Sequence, residues 1–251
     1  MNGTMMKATL AQCKAELLRT VRNKRFFIFS IVMPIIFYFL FSNIVGDNKV
    51  VGGVDWSAYY LMSMTCYGII GASFSTYSIR LARERSQGWI RMLRITPLPS
   101  WAYIVSKIAS QAIINLFIVV MMFLIGGIAK GIELPATTWI ASGAWIWLGG
   151  LSFMTLGTLF GTMRNPDAVQ VLSTVAYMGL SVVGGLWMPY ETMSSTMQKV
   201  AEVTPTYRLG QGAWNIIGGH ALDWSGIGIL VIYVVVLMVV SSWIMKKQEA
   251  V

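Results

Sequence analysis

Charge is scarce in this chain. Asp, Glu, Lys and Arg together make up 12% of its 251 residues, and 56% of the residues are hydrophobic. An average soluble domain carries about 25% charged residues. A water-facing globular surface cannot be assembled from so little polarity, so the composition specifies a membrane protein. Acids are scarcer than bases, and the formal net charge is +9. A basic surplus can signal nucleic acid, but these bases fall in blocks between apolar runs, which excludes that partner. Two cysteines, Cys13 and Cys66, are too few for a disulfide framework. One sits in the basic N-terminal segment and the other in an apolar run, so no pairing is expected. The single histidine, His220, has no serine or acid placed near it by spacing and reads as a surface or interfacial residue.

Other absences remove catalytic classes. No G-x-x-x-x-G-K-[ST] occurs, so no phosphate-cradling loop of that kind is present. The stretch Gly71-Ala72-Ser73-Phe74-Ser75 lacks the final glycine of a nucleophile elbow. No metal-ligand cluster appears. No acid or base is expected deep in any span, which argues against a proton relay of carboxylates and leaves sodium coupling through backbone carbonyls open. The first apolar run is too long for a cleavable leader and has no small-residue cleavage site.

What is present is a series of long apolar runs. Spans are expected at about residues 26–45, 59–79, 102–128, 139–163, 169–188 and 227–245, each near the ~20 residues that a bilayer core requires. Pro34 is expected to kink the first. The second is rich in hydroxyls, among them Ser63, Thr65 and Ser73, and the fifth carries Ser173, Thr174 and Ser181. Small polar residues in a span mark helix contact or a wetted path. In the third span, Gln111 and Asn115 lie four apart on one face and are expected to tie helices together. Gly157 and Gly161 in the fourth permit close approach. Before the first span, Met6, Leu10, Cys13, Leu17 and Val21 recur at helical spacing beside lysines and arginines; this predicts an interfacial helix over residues 1–25. Residues 189–224 are too polar to span and too apolar for an exposed loop, so short helices dipping into the outer leaflet are expected. The fold class is all-α: one polytopic transmembrane domain over residues 1–251.

The stretch RLARERSQGWIRMLRITPLP, residues 80–99, organises the rest. It places five arginines and one acid, Glu84, between two spans, and its prolines stop any helix. An amphipathic basic helix here can lie on the lipid surface or dock into a groove of a soluble partner. Of the 19 lysines and arginines, 15 fall on the same side as this stretch when loops alternate. That side is expected to be cytoplasmic, with both termini on it.

These residues resemble the ABC-2 family, the membrane subunits of bacterial ATP-binding-cassette exporters of the type V architecture. Arg83-Glu84-Arg85, Gly88 and Leu93-Arg94-Ile95-Thr96-Pro97-Leu98-Pro99 are similar to that family's segment after the second span. Trp187-Met188-Pro189-Tyr190-Glu191-Thr192-Met193, followed by Thr204-Pro205-Thr206-Tyr207, is similar to its stretch between the fifth and sixth spans. The sequence departs from the family in lacking a second proline after Met193. The resemblance implies a cytoplasmic coupling helix whose contact set for an ATPase is Glu84, Arg85, Gly88, Arg91 and Arg94. It also implies a homodimer or heterodimer of permeases with the second and fifth spans on the path between subunits. The candidate path residues are then Ser63, Thr65, Ser73, Ser173, Thr174 and Ser181. ATP and magnesium would sit on the separate ATPase, with no cofactor in this chain. The bacterial plasma membrane is the expected location. Glu84 is expected at the surface, so that reversing its charge would leave folding intact. Two other classes stay in view: an antibiotic sensor or immunity component without net transport, and an intramembrane enzyme, which the missing catalytic constellations oppose.

Overall fold

In hydrocarbon, each backbone N–H and C=O needs a partner within its own segment, and apolar runs answer this by becoming helices. The computed structural model describes residues 3–46, 50–89, 92, 95, 100–221 and 223–249, and it is mostly helical. The order is α1 (Gly3–Val21), α2 (Lys24–Phe27), a π-helical turn Ile28–Val32, α3 (Met33–Val45), a small hairpin, and α4 (Trp56–Ile70). A second π-helical turn, Gly71–Thr76, leads into α5 (Tyr77–Ser86). Then come α6 (Ser100–Ala129), α7 (Ala136–Leu151), α8 (Phe153–Gly161) and α9 (Pro166–Val183). A 3₁₀ turn Tyr190–Thr192, α10 (Ser195–Val203), α11 (Pro205–Ile217) and α12 (Trp224–Glu249) complete the chain. Among the described residues, three stretches are long and apolar enough to cross a membrane: Trp101–Ala129, Ala136–Gly161 and Trp224–Gln248.

The hydroxyl-rich second run forms the centre of the bundle. Residues 56–78 are all buried, so the helix contacts protein on every side. Its hydroxyls bond within it and across it. Thr65 donates to the Leu61 carbonyl at 2.7 Å and Ser78 to that of Phe74 at 2.6 Å. Ser73 donates to Asn115 Oδ1 at 3.0 Å, and Gln111 donates to both Ser73 Oγ and Asn115 Oδ1, at 3.2 and 3.0 Å. The amides therefore join α6 to the centre, as their spacing predicts. Gly157 and Gly161 let α8 lie directly against it: a Cβ on Gly157 would meet the Ser73 carbonyl oxygen at 2.9 Å.

Pro34 supplies no N–H for the Ser30 carbonyl, and the π-helical turn immediately precedes it. Gly68 of α4 sits against that carbonyl, where a Cβ would be 2.8 Å from the oxygen. The predicted irregularity thus becomes a seat for the central helix.

The expected polar loop at residues 46–56 contains an antiparallel hairpin, Val50↔Asp55 and Val51↔Val54. Gly52 and Gly53, at φ 58° and 80°, turn it, as Gly-Gly suits a two-residue turn that needs positive φ at both positions. The segment following α9 forms short helices, with Ser194 capping α10 and Thr204 capping α11. α11 is largely buried against α4 and α7, and Trp214 donates to Ser63 Oγ at 3.0 Å.

Side-chain bonds gather the element ends at two poles. At one, Arg85 of α5 donates to Gln248 of α12 at 2.6 Å, and Gln248 donates to the Thr162 carbonyl after α8 at 3.2 Å. At the other, Lys130 donates to Asn43 at 2.8 Å, and Arg208 pairs with Asp223 at 3.1 Å.

Candidate coupling site at the basic pole

Helical spacing brings polar groups from three elements to one point. On α5, Tyr77, Arg80 and Glu84 share a face; on α6, Tyr103 and Lys107 are four apart; on α1, Glu16 and Thr20 are four apart. Lys107 Nζ lies 3.1 Å from Glu16 Oε1 and 2.8 Å from Glu84 Oε2. The Tyr103 hydroxyl donates to Glu84 Oε2 at 2.8 Å, and Arg19 donates to Glu84 Oε1 at 3.1 Å. Arg80 donates to the Thr20 hydroxyl and lies 3.8 Å from Glu16 Oε2. Glu16, Glu84 and Lys107 are 1%, 3% and 3% exposed, so these charges are removed from water, where only mutual pairing makes them tolerable. Burial pushes the Glu84 carboxyl up. The charge and hydrogen bond of Lys107, the Tyr103 hydroxyl and Arg80 outweigh that and hold it below its ordinary value.

This corrects the expectation of a surface Glu84. Residues 80–86 do not form a separate helix on the lipid; they are the last turns of α5, continuous with the buried central helix, so one face is captured by α1 and α6. Arg85 is half-buried and bonded to α12. Gly88, at φ 71°, ends the helix, where its N–H reaches the Arg85 carbonyl at 3.1 Å. Arg91 and Arg94 lie outside the described residues. The side chains turned outward here are Arg83, Ser86 and Gln87, followed by Met92 and Ile95, which are 57% and 87% exposed.

α1 forms as a helix, with a polar seam that its interfacial reading did not include. Met6, Leu10 and Val21 of the apolar stripe are exposed, while Glu16 and Thr20 are buried against α6. Ser110 donates to the Cys13 carbonyl at 3.2 Å on the same seam. The stripe is thus split: Met6, Leu10 and Val21 face outward, Cys13 and Leu17 are half-buried beside Glu16 and Thr20, and polar bonds help hold α1 to the bundle. Sequence reasoning missed Glu16, Thr20, Tyr103 and Lys107. The one available signal was the single acid of a basic helix, Glu16, repeated by Glu84 in the next basic segment.

The candidate path residues are turned into the packed interior of the chain. Ser63, Thr65, Ser73, Ser173 and Ser181 are buried within the chain, and Thr174 is half-buried. Ser173 lies 3.4 Å from Ser75, and Ser181 donates to its own helix at the Tyr177 carbonyl, 2.7 Å away. Of the two runs, the fifth faces outward, through Val171, Leu172 and Val175 of α9.

The described helices that are long and apolar enough to cross a membrane surround a buried polar centre, with a buried ion cluster at one pole. The chain belongs to the ABC-2 type transporter family, which it matches over residues 7–218, and it is a permease component of that kind of transporter. It is 42% identical over 246 residues, covering 98% of this chain and all of the relative, to a protein of Bacillus subtilis (strain 168) named as the transport permease YvfS. It is 26% identical over 191 residues, covering 73% of this chain and 64% of the relative, to a protein of Mycobacterium tuberculosis (strain CDC 1551 / Oshkosh). That relative is named as a doxorubicin resistance ABC transporter permease protein, DrrC.

Proposed function

We propose that this permease moves an amphipathic compound, drug or peptide outward through the bacterial plasma membrane, driven by a separate ATP-binding-cassette ATPase. It does so as a dimer with a second permease copy or a related chain. In this reading the chain crosses the bilayer six times, the basic pole and both termini are cytoplasmic, and α10 and α11 lie at the outer leaflet. The two poles joined by side-chain bonds support the alternation, and the concentration of bases at one side supports its direction. The doxorubicin relative supports an amphipathic drug as the cargo class.

The observation that carries the coupling part is the Glu16–Lys107–Glu84 cluster. It locks α5 to α1 and α6, so a push on the segment after Ser86 is delivered to the central helix rather than absorbed by a loop. A partner shifts a two-state equilibrium only through contacts that differ between the states. Arg83, Gln87, Met92 and Ile95 are outward and available for such contacts; Glu84 and Arg85 position them from within. In vesicles holding the permease and its ATPase, Arg83→Glu should leave membrane insertion and cargo binding intact and abolish cargo-stimulated ATP hydrolysis. Unchanged stimulation would remove this surface from the coupling role.

A further inference from the structure

An apolar groove of about 590 Å³ runs between α6 and α7 on the outside of the bundle. Its floor is Val119 and Gly143; Phe123 and Trp139, edge to face at 4.7 Å, form its wall toward the hairpin pole. Its rims are Leu116, Leu124, Ile128 and Ile140, all exposed. Two glycines keep it open. A Cβ on Gly143 would press on Phe123 at 3.1 Å, and a Cβ on Gly127 would meet nothing within 4 Å. We infer that this groove seats one acyl chain of a bilayer phospholipid as a resident ligand.

Three observations select that occupant. Both walls belong to helices long and apolar enough to cross a membrane, so the mouth opens into hydrocarbon, away from the buried central helix. From Leu116 to Ile128 the groove wall is about 18 Å long at ~1.5 Å per residue, against the ~15 Å of one leaflet. Its lining residues are apolar along that whole length, which suits a methylene chain and offers nothing to a polar cargo. The groove begins near Ile132, just after Lys130. The lipid's headgroup therefore lies at the hairpin pole, in the outer leaflet of the orientation proposed above. The inference rests on that membrane placement, and its test separates the two.

The protein is reconstituted in nanodiscs of phosphatidylcholine and phosphatidylglycerol containing a phosphatidylcholine with a photoactivatable acyl chain, and the labelled residues are mapped. Labelling should concentrate on the groove residues Val120, Leu124 and Ile140 above the level at Val235 and Val239, exposed on α12. Filling the groove by Gly127→Leu with Leu116→Phe, both residues of this groove alone, should erase the excess and leave the α12 labelling unchanged. Equal labelling of groove and α12 in the wild type would reduce the groove to ordinary lipid contact and overturn the inference, whether or not the double variant folds. Loss of groove labelling on adding an amphipathic drug would make it a cargo site and overturn it too. Absence of labelling on α12 as well would instead refute the membrane placement.

Discussion

At Glu84 a carboxylate taken out of water is held by an ammonium, a phenol and a guanidinium. Removing one partner of a buried pair leaves the other charge uncompensated, at about 3–5 kcal/mol. Glu84→Gln should therefore lower the stability of the purified protein by about 3 kcal/mol, read by denaturant or thermal unfolding in detergent. Lys107→Ala should do more, because Glu16 and Glu84 would then face each other. Combining Glu16→Gln, Glu84→Gln and Lys107→Met removes the charges together and should recover much of the loss. The pH dependence follows from the lowered carboxyl. Its stabilising contribution is complete above the unfolded-state value, about pH 4, and is lost as pH falls through the folded-state value. Stability should therefore be flat through neutrality with respect to this group, and decline only in acid. Glu84→Gln should flatten that acid limb.

Among elements, the glycines of α8 and α9 make opposite predictions from the same substitution. Gly157→Ala drives a methyl to 2.9 Å from the Ser73 carbonyl oxygen and 3.2 Å from that of Phe74. Backbone cannot retreat as a flexible side chain can, so a loss of about 1–3 kcal/mol is expected, as for overpacked cores. Gly179→Ala meets nothing within 4 Å, about one turn before the end of α9. It should stabilise by about 0.5–1 kcal/mol, the usual helix-interior gain. Parallel unfolding curves of the two variants check both. The start of α9 is a third case: Asn165 accepts from the N–H groups of Asp167 and Ala168 at 2.9 and 3.3 Å, with Pro166 in the first turn. Asn165→Ala should cost about 1 kcal/mol.

For the whole molecule, the decisive measurement is sidedness. In a background with Cys13 and Cys66 replaced, a cysteine at Glu133, exposed at the hairpin pole, should react with an impermeant thiol reagent applied to intact cells. One at Ser86, exposed at the basic pole, should react only after permeabilisation. Reversed labelling would invert the proposed orientation and with it the meeting place for an ATPase.

The membrane class, the helical content and the positions of the long apolar runs were determined by the sequence alone, because the bilayer imposes length and polarity rules on each run separately. So were local devices such as Asn165-Pro166-Asp167 and the Gly157/Gly161 pair, which need no distant partner to be read. Which face of α1 is buried, where Glu84 points and whether the hydroxyls of α4 meet a path or a neighbour were decided only by tertiary packing. The apolar stripe placed α1 along the membrane, but only packing decided that Glu16 and Thr20 are the residues turned into the bundle. The reason is that the value of a buried charge depends on what lies opposite it. Glu16, Glu84 and Lys107 come from helices up to 91 residues apart in sequence, and they compensate one another only once those helices are packed.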